Sequence, residues 1–176
     1  RLVGSEMCIR DSLPDDLNSR EAIFDLAMRQ GDPAKAKEAA ADIERVAGAS
    51  SARTRVAQAG ARILEVRLAQ ERKELESGRI ELSTAEIRLL DEARNLLIEA
   101  ANDRPGWQPI QTYFAEIEGL RGDLPAAIER LQKAVKLGPA EPETIRQLVT
   151  LLYASNRIDE AGDPSGAKGF EGLTGL

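Results

Sequence analysis

The chain has 176 residues, enough for one domain or a short array of repeats, and it carries no histidine and a single cysteine, Cys8. With neither histidine nor a second cysteine, no Ser-His-Asp or Cys-His mechanism and no internal disulfide can be built, and the commonest neutral metal ligand is missing. The formal charge of −6 argues against a nucleic-acid binder, which normally presents a basic surface.

Hydrophobic residues make up 42% of the chain and aromatic ones only 3%, so the core has to be built from Ala, Leu, Ile and Val. Such a sequence, rich also in Glu, Arg and Lys, favours helix. No stretch approaches the length of a membrane-spanning apolar helix, and no signal peptide is seen.

The first twelve residues, "RLVGSEMCIRDS", share no pattern with the rest of the chain. They resemble a translated adapter or vector sequence, so residues 1–18 are expected to be a scar or a disordered tail. Cys8 lies in this stretch and is given no redox role.

From about Ser19 to Ala47 the sequence reads as a helix, a Gly31-Asp32 turn, and a second helix with Pro33 at its first position, where proline is tolerated. A long helix is expected from about Ala52 to Ser77, and another from about Thr84 to Asn102. "STAE", Ser83 to Glu86, is capping-box chemistry for the latter. The carboxylates of "ERKELE" and "LLDEARN" alternate with Arg and Lys at helical spacing, as solvated faces do. Gly122-Asp123 reads as a turn, and neither it nor Gly31-Asp32 belongs to a phosphate-binding loop. Residues 162–176, with their many glycines and no helical period, read as a loop or tail.

A spacing of 34 residues recurs. Ala93, Ala127 and Ala161 stand 34 apart, as do Leu97 and Leu131, Ala100 and Ala134, and Pro105 and Pro139. On these residues the chain resembles the tetratricopeptide repeat family, in which each repeat folds as two antiparallel helices, A and B. Gln108 to Glu141 fits one full repeat: Phe114 and Ala115 match the large and small core places of helix A, Ala127, Leu131 and Ala134 those of helix B, and Pro139 the terminal proline. Alanine at i and i+7 with leucine at i+4 puts small residues on one face, where helix A can approach closely. Gln111 and Glu118 depart from the family, which usually has large apolar or aromatic residues at these places. The next unit, from Pro142, supplies Ile145, Leu148, Leu152 and Ala161. The pair before the full repeat carries an insertion or a lengthened helix A.

The resemblance implies an all-α fold of antiparallel helix pairs stacked as a right-handed solenoid over residues 19–161, about four pairs with the last incomplete. It implies a non-catalytic scaffold that binds a protein or peptide on its concave face, with no cofactor, no metal and no membrane insertion. The matching face positions are Thr112, Glu116 and Leu120, then Arg146 and Thr150. Glu116 stands where a carboxylate-gripping member of the family needs Lys or Asn. Trp107 is expected to pack across a repeat junction rather than to serve as an exposed anchor. Self-association through the incomplete last repeat is a further expectation. The alternative is that these repeats are the targeting segment of a larger enzyme or of a secretion or assembly protein. Cytoplasm is the default location.

Overall fold

The computed structural model describes residues 16–78, 81–138 and 142–155. Among these, all regular structure is helical: α1 (Leu17–Gln30), α2 (Pro33–Ala47), α3 (Ala52–Ser77), α4 (Thr84–Asp103), α5 (Gln108–Leu120), α6 (Leu124–Lys136) and α7 (Pro142–Ala154). The chain divides into two compact units between Pro105 and Gly106. In the first, α1 packs on α2, α2 on α3 and α3 on α4, with a smaller contact between α1 and α3. In the second, α6 packs on both α5 and α7. Pro139 and Ala161, two of the repeat positions, and both chain ends lie outside the described residues.

Local chemistry sets the turns. Gly31 adopts φ 65° and ends α1, and Asp32 caps α2 by accepting from the Lys35 amide at 3.0 Å. The Gly31 amide donates to the Met28 carbonyl (3.3 Å), and the Asp32 amide donates to the Ala27 carbonyl (3.1 Å). The junction of α5 and α6 repeats this arrangement. Gly122 has φ 79°, its amide donates to the Gly119 carbonyl (3.0 Å), and the Asp123 amide donates to the Glu118 carbonyl (2.9 Å). Asp123 then caps α6 by accepting from the Ala126 amide (3.1 Å). Both junctions are Schellman turns whose last residue is already the cap of the next helix. A two-residue reversal of this kind makes each pair an antiparallel hairpin. A β-carbon at either glycine would meet the steric cost of left-handed backbone, so Gly31→Ala and Gly122→Ala should each destabilise by about 1–2 kcal/mol. Urea unfolding of the two variants checks this, and unchanged midpoints would contradict it.

The long pair α3 and α4 is set by charge and by alanine. Arg55 meets Glu99 (3.0 Å) and Asp103 (2.5 Å), Arg62 meets Glu92 (3.2 Å), and Lys73 meets Glu86 (2.6 Å). Partners on α4 descend in number as those on α3 ascend, which is an antiparallel register. Glu92, Glu99 and Asp103 are well exposed, so their pairs add little stability, whereas Glu86 is nearly buried. The core contributes more. Ile63, Leu64 and Val66 of α3, and Leu90, Ala93, Leu97 and Ala100 of α4, are fully buried. α3 has 26 residues and α5 has 13, so α3 carries extra helix, about 39 Å in all at the standard rise.

The first three helices share one cluster: Phe24 and Ala27 of α1, Ala36, Ala39, Ala40 and Ile43 of α2, and Ala57, Ala61 and Leu64 of α3. So many alanines in one core mean close helix approach. Beside them Arg20, only 2% exposed, reaches Asp42 on α2 at 3.2 Å. In the second unit Ala115, Ile128, Leu131, Leu148 and Leu152 join α5, α6 and α7 in one core. Here Ile145 differs from the sequence expectation. It is 38% exposed, because α7 turns Thr144, Leu148 and Leu152 inward instead.

Candidate functional site

The five residues expected on a binding face fall on α5 and α7. Thr112, Glu116 and Leu120 follow one another at i, i+4 and i+8, and all three are half-buried. The Thr112 hydroxyl lies 3.5 Å from the Gln108 carbonyl one turn back. On the other side α5 buries Ile110, Gln111, Phe114, Ala115, Ile117 and Glu118. Arg146 and Thr150 are exposed on α7, one turn apart. Arg146 pairs with Glu143 of its own helix at 2.6 Å, with both side chains more than half exposed. The two sets therefore belong to helices that share a core through Ala115, Leu148 and Leu152. They offer one carboxylate, one guanidinium and two hydroxyls. Such a set can hydrogen-bond and ion-pair with a polypeptide. No nucleophile activated by an adjacent base is among them.

Gln111 and Arg130 form an arrangement that sequence reading misses. Gln111 is 4% exposed, and its carbonyl accepts from Arg130 Nη1 at 3.2 Å. The same guanidinium lies 4.7 Å from the centroid of the Phe114 ring. A long cation from α6 thus covers Phe114 and satisfies the buried amide, where the repeat pattern led one to expect a large apolar side chain. Trp107 is half-buried at the start of α5, where its side chain makes no capping hydrogen bond.

A groove not anticipated from the sequence runs along α3 between α2 and α4, with a volume of about 310 Å³. Its depth comes from small side chains, Ala40, Ala41 and Ala61. Its polar rim is mutually paired: Lys37 with Glu65 (2.6 Å), Arg62 with Glu92 (3.2 Å), and the Gln58 amide donating to Glu44 (3.0 Å). The groove is a consequence of alanine packing between charged walls, visible only once three helices are assembled.

Glu86 is a carboxylate with several donors around it. It accepts from the Ser83 amide (2.7 Å), the Ser83 hydroxyl (2.8 Å), Lys73 Nζ (2.6 Å) and the Gln70 amide (3.2 Å). The reciprocal bond from the Glu86 amide to the Ser83 hydroxyl completes the capping box. Burial pushes its pKa up, but the hydrogen bond from Lys73, those from Ser83 and the Lys73 charge outweigh it, so the net shift is downward. Its role is to hold the α3–α4 junction. The folded value lies below the ordinary 4.5, so the stabilisation is fully present above 4.5 and is lost as pH falls through the folded value. Glu86→Gln should therefore cost about 1–2 kcal/mol at neutral pH. The gap to the parent protein should narrow on acidification below 4.5. Unfolding free energies across that range check the sign, and a gap that widens in acid would contradict it. Glu21 shifts the opposite way, raised chiefly by burial against the opposing charge of Arg53, so the pH dependence must be read from the Glu86 variant and not from the parent protein alone.

Among the described residues there is no group of three or more side chains suited to hold a metal ion. No described helix is long and apolar enough to cross a membrane. No protein-family model matches the chain, and no curated protein is significantly similar to it.

Proposed function

We propose that the chain is a non-catalytic interaction module of tetratricopeptide-like repeats, stacked as a right-handed solenoid, that binds a segment of another protein on its concave face. The observation that carries this reading is the burial at the 34-residue spacing. Ala93, Leu97 and Ala100 on α4, and Ala127, Leu131 and Ala134 on α6, are each at most 1% exposed. The two like Gly-Asp turns support it, since repeated hairpins need repeated reversals. In this reading Thr112, Glu116 and Leu120 line the face on α5, and Arg146 and Thr150 continue it on α7. Helical hairpins present such side chains on a rigid frame, so binding costs little ordering of the module itself.

The test is selection of peptides from a display library on the intact protein. Selected peptides should lose binding to Glu116→Lys and Thr150→Glu, and retain it with Glu129→Lys, on the exposed side of α6. Failure to select any peptide, or loss only with the α6 variant, would overturn the reading. The negative charge of Glu116 also sets a preference. Peptides ending in several carboxylates should bind weakly, because like charges meet across the face. Submicromolar binding of such a peptide, measured by calorimetry, would contradict this.

A further inference from the structure

No further inference is drawn: the strongest candidate, the apolar stripe of Ile145, Val149 and Tyr153 along α7, stays exposed or half-exposed among the described residues, and nothing in the structure shows what covers it.

Discussion

Leu131→Ala should lower the stability of the protein by about 2–5 kcal/mol, the range for truncating a buried leucine to alanine. Leu131 is 1% exposed and sits with Ala115, Ile128, Leu148 and Leu152 where α5, α6 and α7 meet. Two of its neighbours are fully buried leucines from α7, so the void left behind is shared by two helices and cannot be filled by one side chain turning. The lost transfer energy and the residual cavity therefore add. Leu75 provides the control, since at 89% exposure its truncation should change stability by no more than about 0.5 kcal/mol. Urea unfolding followed by circular dichroism measures both. A loss below about 1 kcal/mol for Leu131→Ala would mean that this core is not the one described.

Enlarging the alanines should also be costly, for the opposite reason. Ala93→Leu and Ala127→Leu should each destabilise by about 1–3 kcal/mol through overpacking. Both alanines are 0% exposed. Each lies on a helix that packs against its predecessor, α4 on α3 and α6 on α5. The added methyl groups have nowhere to go unless the helices separate, and separation forfeits contacts along the whole pair. Ala85, exposed in the first turn of α4, should accept leucine with almost no change. Thermal unfolding of the three variants gives the comparison. Equal tolerance at the three positions would remove the role assigned to the small residues.

Much of the fold is legible because its signals are local. α3 runs from Ala52 to Ser77 as the periodicity indicates, and α4 extends one residue beyond the expected Asn102. Ser83 and Glu86 form the capping box that their spacing announces. Gly31-Asp32 and Gly122-Asp123 reverse the chain because a residue free to take positive φ is followed by a good cap. None of these requires knowledge of a distant residue.

What escapes sequence reading depends on pairing across the fold. Gln111 looks like a defect in an apolar pattern until Arg130, nineteen positions later, is placed over it and over Phe114. Arg20 carries a charge, but its burial to 2% exposure depends on Asp42 of the neighbouring helix, which no local pattern announces. Ile145 fits the periodic pattern of α7, but the helix is rotated so that Thr144 is 5% exposed and Ile145 38%. The groove over α3 depends on three helices, and no single stretch announces it. The stripe of Thr112, Glu116 and Leu120 is traceable by its four-residue step. Its half-burial is not, because that depends on what α5 packs against.

In the proposed repeat, α4 and α6 occupy equivalent places, each turning its alanine face toward the helix before it. Methyl NOE spectroscopy on protein labelled at alanine tests this most directly. NOEs are expected from the Ala93 and Ala100 methyls to side chains of α3, and from the Ala127 and Ala134 methyls to side chains of α5. If instead Ala127 and Ala134 contact only α7 while Ala93 and Ala100 contact α3, the two helices face opposite ways, and the 34-residue spacing does not describe a structural repeat.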